Sequence, residues 1–139
     1  ISLSSYKIVV VHGINASTST KKNRNIIEID QLPAEEFNSL LHGASAVLLA
    51  GGSVVLQALS YKKRIISAPI TDEQKKRTTI LESNNLLTVS ILDANIMAKK
   101  MIDLINYEQS TIETKIEIEN GLDKAMIELQ KLIANTKET

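Results

Sequence analysis

The chain has 139 residues, the span of one domain, and its 16 basic side chains balance 16 acidic ones, so no net charge is available to steer a polyanion such as nucleic acid. It holds no cysteine, which excludes disulfides, thiolate nucleophiles and cysteine-ligated zinc, and its 3% aromatic content excludes a stacking platform for single-stranded nucleic acid. No apolar run approaches the roughly 20 residues that cross a bilayer, and Ile1–Ser5 lacks the charged and apolar regions of a signal peptide, so the expected location is the cytoplasm.

"KIVVVH" (7–12) is a continuous β-branched run, which predicts a strand buried on both faces. Residues 13–24 are polar. "NIIEI" (25–29) predicts a second strand. Pro33 suits the first turn of a helix, in which Phe37, Leu40, Leu41 and Ala44 form one apolar stripe, and Gly43 is placed to end it. "AVLLA" (46–50) predicts a third strand, followed by a helix with Val54, Val55, Ala58 and Leu59 apolar. "RIISA" (64–68) predicts a fourth strand, closed by Pro69. Asp72 then reads as the N-cap of a helix carrying Ile80, Leu81 and Asn84. "LLTVSI" (86–91) predicts a fifth strand, and Asp93 caps a helix with Met97, Met101, Leu104 and Ile105 on one face. Residues 108–135 read as helical, with Ile112, Ile116, Met126, Leu129 and Ile133 in a stripe broken near Asn120–Gly121. Strands alternating with helices predict an α/β fold, a mostly parallel sheet with helices on both faces. The expected division is a ligand-binding unit over 1–106 and C-terminal helices over 107–139. The basic clusters Lys21–Arg24 and Lys62–Arg64 read as solvated loop and helix ends.

The stretch "AVLLAGGSVVLQAL" (46–59) carries the first chemical signal. In parallel α/β sheets ligands bind beyond the carboxyl ends of the strands. Gly51–Gly52–Ser53 sits at one such end, where absent Cβ atoms allow close approach and the first helical amides favour an anion such as phosphate. On these residues alone, a glycine turn with a serine cap is the simpler reading. The stretch is neither G-x-x-x-x-G-K-[ST] nor G-x-G-x-x-G. Its neighbourhood adds weight to the cradle. Gln57 lies one helical turn after Ser53, while Asp72 and Gln74 sit at the tip of the next strand, suited to sugar hydroxyls. Taken singly, Asp72 also reads as a helix cap, and Gln57 and Gln74 as solvated helix surface.

Residues 40–81 resemble the donor-binding half of GT-B glycosyltransferases, and most closely the MurG-like group, glycosyltransferase family 28. The resemblance rests on Ala44–Ser45, the strand Ala46–Ala50, the run Gly51 to Gln57, the strand Ile65–Pro69 and the D-x-Q of Asp72–Glu73–Gln74. It implies a Rossmann-like three-layer fold and a nucleotide-sugar site, with a UDP-sugar as substrate and no metal or other cofactor. The resemblance implies that Gly51, Gly52 and Ser53 face the diphosphate and Gln57 the ribose. Asp72 and Gln74 would contact the donor sugar, and the backbone near Ile29–Leu32 the base. It places an additional front strand with a Gly-rich loop, and the acceptor-binding N-terminal domain or subunit, outside these residues. Association with the inner face of a membrane is expected through that partner. Gln57 stands where the group usually has Glu, Val54 where Thr is common, and Arg77–Thr78 where Asn-Ala is usual.

Other candidates have simpler explanations. His12 ends the first strand and His42 ends a helix, and they are too far apart in sequence for a zinc motif. Glu35–Glu36 suit the first turn of a helix, and nothing marks Glu28 and Asp30 as a catalytic pair. Two rival functions share this fold: a nucleotide-sugar hydrolase, in which water replaces the acceptor, and a non-catalytic binding module.

Overall fold

The computed structural model describes residues 5–13, 24–107, 124–128 and 130–131. Strand β1 (Ile8–Val11) pairs in parallel with β2 (Ile26–Ile29), Ile8 opposite Ile26 and Val11 opposite Ile29. Helix α1 (Ala34–Gly43) leads to β3 (Ala46–Leu49). Then α2 (Val54–Ser60), β4 (Arg64–Ser67), α3 (Asp72–Ser83), β5 (Thr88–Val89) and α4 (Ala94–Asn106) follow. β3, β4 and β5 form a second parallel sheet in that order. Parallel neighbours need a crossover, and α2 and α3 supply one each. The architecture is therefore the expected Rossmann-like α/β arrangement. Among the described residues β1 and β3 are not paired, so the strands fall into two sheets.

The core forms around β4. Ile65 and Ile66 are 1% and 0% exposed although adjacent strand residues face opposite sides, so β4 is covered on both faces as its apolar run requires. Ile65 packs with Leu41 of α1, with Val55, Ala58 and Leu59 of α2, and with Leu87. α4 also packs against β3 and β4, and its predicted face of Met97, Met101, Leu104 and Ile105 is half-buried. No residue of β1 or β2 is among the fully buried ones.

Polar side chains fix the helix ends. Asp93 Oδ1 accepts from the Ile96 amide at 2.9 Å, as expected of a cap. Gly43 is the last residue of α1, and Pro33 stands as its N-cap, one position before the helix. The basic cluster at 62–64 also serves helix ends. Lys63 Nζ donates to the His42 carbonyl of α1. Arg64 Nη1 donates to the Leu104 and Ile105 carbonyls of α4 at 2.9 and 3.3 Å. Both cations sit where a helix presents unpaired carbonyls.

Three expectations need correction. The fifth strand is only Thr88–Val89, because the chain turns at Asn85, whose φ is 57°, and meets β4 late; Ile91 and Leu92 are 64% and 69% exposed. The N-cap of α3 is Thr71, not Asp72. Thr71 Oγ1 accepts from the Gln74 amide at 3.2 Å while Gln74 Oε1 accepts from the amides of Ile70 and Thr71, a capping box that needs this Thr-x-x-Gln spacing. Asp72 falls one position later. Finally, α3 buries Thr78 and leaves Ile80 63% exposed, because its inner face meets a glycine turn with room for only a small branched side chain. Of the C-terminal stripe, Ile112, Ile116, Leu129 and Ile133 lie outside the described residues, and Met126 is 48% exposed.

Stability should follow this division. Ile65→Ala is expected to cost about 2–5 kcal/mol by denaturant unfolding. Ile27→Ala, at a site 48% exposed, should cost under about 1 kcal/mol.

Candidate functional site

The glycine turn lies where β3 hands over to α2. Gly51 has φ +110°, a conformation that side chains rarely adopt. A Cβ there would lie 3.0 Å from Thr78 Cγ2 and 3.3 Å from both Gln74 Cβ and Ser67 Oγ. Gly51 is therefore demanded by packing against α3 and β4. Gly52 differs: a Cβ there would meet nothing within 4 Å. The two glycines have separate roles, one inward and structural, the other facing open space.

Ser53 is helical in φ and ψ, and its side chain makes no capping bond. The serine-cap reading is thus replaced by a hydroxyl exposed at the turn. The first turn bond runs from the Val55 amide to Gly52 O at 3.1 Å. The amides of Ser53 and Val54 precede it and have no intrahelical acceptor.

The neighbouring junction, β4 to α3, is tied to this turn. Arg77 Nη1 donates to Gly51 O at 3.3 Å. Thr78 Oγ1 donates to the Gln74 and Lys75 carbonyls at 2.8 and 3.2 Å, which turns its methyl group toward Gly51. Gln74 is half committed: its carbonyl oxygen serves the capping box, and its amide nitrogen is not used there. Asp72 is exposed, with its carboxylate 3.2 Å from Lys75 Nζ. Ser67 Oγ is fully buried beneath the turn with no hydrogen-bond partner among the described residues.

Gln57 does not project freely. Its Nε2 donates to Asn38 Oδ1 of α1, which joins the first turn of α2 to the middle of α1. Leu32 is half-buried in the β2–α1 connection. His12 Nε2 is 3.3 Å from Glu28 Oε2 of β2, so this pair ties the ends of two strands together and stands apart from the glycine turn in sequence. His42 packs edge-on to Tyr61 with ring centroids 5.2 Å apart. Among the described residues no group of three or more His, Cys, Asp or Glu could hold a metal, and no helix is long and apolar enough to cross a membrane.

Sequence reasoning placed Gly51, Gly52, Ser53, Asp72 and Gln74 at two adjacent junctions, and the structure sets those junctions in contact. It missed Arg77, Thr78, Asn38 and Ser67. A signal existed for two of them: Arg77–Thr78 is where the chain departs from the Asn-Ala of the group it resembles.

No protein-family model matches the chain, and no curated protein matches it. Solved structures do. A glycotransferase of kitacinnamycin aligns with a TM-score of 0.59 at 14% identity, over 70% of this chain and 26% of its own. The glycosyltransferase SnogD from Streptomyces nogalater aligns with a TM-score of 0.55 at 16% identity, over 74% of this chain and 30% of its own. The likeness to both structures is one of fold. The chain spans less than a third of either structure.

The division of labour between the glycines is testable by thermal melting. Gly51→Ala should lose about 1–3 kcal/mol from strain at positive φ and contact with Thr78. Gly52→Ala should stay within about 0.5 kcal/mol of the parent. Equal effects would contradict the assignment.

Proposed function

We propose that this chain is the nucleotide-sugar-binding unit of a glycosyltransferase, with a UDP-sugar as donor. The acceptor, lipid-linked or otherwise, would be held by a separate domain or subunit. The observation that carries the reading is the open face of Gly52 beside the unpaired first amides of α2, at the carboxyl end of β3. The likeness to two glycosyltransferase structures supports it.

In this reading the diphosphate lies on Gly52–Ser53. Backbone amides and the Ser53 hydroxyl donate to its oxygens, in a setting that needs no reorganisation when charge develops on the leaving group. Arg77, bonded to the Gly51 carbonyl, adds a positive charge beside the turn. Gln57 meets the ribose, with Asn38 holding its amide in place. Asp72 and the free amide nitrogen of Gln74 take the sugar hydroxyls, and the backbone near Leu32 takes the base.

Calorimetric titration with UDP tests this. The parent should show one saturable site, and Gly52→Val should lose it while keeping its melting temperature within a few degrees, since a Cβ at 52 meets nothing within 4 Å. Gln57→Glu should bind about fivefold more tightly, because charge-assisted bonds to hydroxyls exceed neutral ones by roughly 1 kcal/mol. A carboxylate at 57 cannot donate as Gln57 does, so Asn38 must turn its amide and donate from Nδ2 to keep the contact. Unchanged UDP binding by Gly52→Val would overturn the cradle. Absence of any saturable site in the parent would favour a non-catalytic module.

A further inference from the structure

The peptide that joins Gly51 to Gly52 has a cation on one side. Like the others described it is trans, so its C=O and N–H point in opposite directions. The carbonyl faces α3, where Arg77 Nη1 donates to it at 3.3 Å, and among the described residues no other donor reaches it. The Gly52 N–H therefore points away from Arg77, and among the described residues no acceptor meets it.

Arg77 makes this bond in place of a nearer one. Glu73 lies four residues earlier on α3, the spacing at which helical acids and bases pair. Among the described residues no ion pair joins the two; the pair on this helix is Lys75 with Asp72. The guanidinium instead holds a carbonyl 26 residues back in the chain.

The same peptide is the easiest of the turn to reverse. A half-turn of its plane changes only ψ of Gly51 and φ of Gly52. Gly51 keeps its φ of +110° and the packing that depends on it. Gly52 passes from negative to positive φ, which costs little without a Cβ and strains any other residue. Reversal would replace the outward N–H with a carbonyl oxygen, which repels an anion.

We infer that Arg77 is a positioning residue that latches the Gly51–Gly52 peptide with its carbonyl toward α3 and its N–H outward, so that the turn is committed to an anionic ligand. The guanidinium also polarises the peptide through its carbonyl, which strengthens the N–H as a donor. A glycine pair supplies the freedom that close approach needs, and Arg77 removes the wrong half of it. The inference rests on the diphosphate reading for what binds, and on the free chain alone for the latch.

The test uses the isotopically labelled 139-residue chain, with UDP as the probe. Arg77→Met keeps the apolar stem and removes the donor. Its melting temperature should stay within a few degrees of the parent, because Arg77 is exposed. In the free variant the Gly52 amide signal should move and broaden as the peptide samples both orientations. UDP should bind about tenfold more weakly, the loss expected when the competent orientation falls to about a tenth of the population. Arg77→Lys keeps a donor and the charge, and should bind within about threefold of the parent. The loss should persist in roughly 0.5 M salt, which screens a distant charge and leaves a latch in place. In a Gly52→Ala background Arg77→Met should cause no broadening, since a Cβ at 52 opposes reversal. A Gly52 signal that neither moves nor broadens in Arg77→Met overturns the latch. Unchanged UDP affinity, or a loss that vanishes at high salt, overturns the positioning role. A parent that binds no UDP overturns the diphosphate reading instead, and the free-chain signals then decide whether Arg77 holds the peptide.

Discussion

The candidate site depends on the close packing of Gly51 against α3. With φ at +110° the chain turns out of β3 tightly enough to bring a bare Cα against Thr78, Gln74 and Ser67, where a Cβ would be tighter than an ordinary contact. That contact locks the β3–α2 turn to the start of α3. Arg77 adds a bond to the Gly51 carbonyl, and the Thr71–Gln74 capping box sets where α3 begins. Two junctions far apart in sequence thereby become one surface. Gly52, one residue on, is left facing open space because its neighbour absorbs the packing.

Stability is unevenly distributed around that surface. β4 and α2 supply most of the fully buried side chains, and the Gly51 turn rests directly on them. β1 and β2 supply none, and a parallel pair whose faces are only half covered is less firmly held. The part of the proposed site built from β3, β4 and α3 is thus the rigid part. The portion near Leu32 hangs from β2, and opening free energies there should lie toward the low end of the chain's range. In the proposed site the diphosphate and sugar would be held by a fixed frame, while the base would meet a softer one.

The fold was legible in sequence because its signals are local and repeated. Five short apolar runs are predicted as strands, with helical patterns between them from residue 33 onward, and each strand and helix described over residues 8–106 has the predicted type. Expectations failed where a stronger local signal or a tertiary contact overrode a residue-type preference. Asp72 is a good cap by residue type, but Thr71 is one position earlier and has a glutamine at the spacing a capping box needs. Ile80 is apolar, yet the face of α3 that meets Gly51 admits Thr78 instead. The glycine turn was visible as a motif, but the split in roles between Gly51 and Gly52 was not, since it depends on atoms 23 to 27 residues away in α3. The Gln57–Asn38 bond was equally hidden, because nothing in either helix announces the other.

We propose that the turn at Gly52 binds a nucleotide diphosphate through the leading amides of α2. The most direct measurement follows the amide resonances of the labelled chain during titration with UDP. The account predicts saturating shifts that are largest at Gly52, Ser53 and Val54, with smaller ones at Asp72 and Gln74. Saturating shifts centred elsewhere, with residues 52–54 silent, would contradict it.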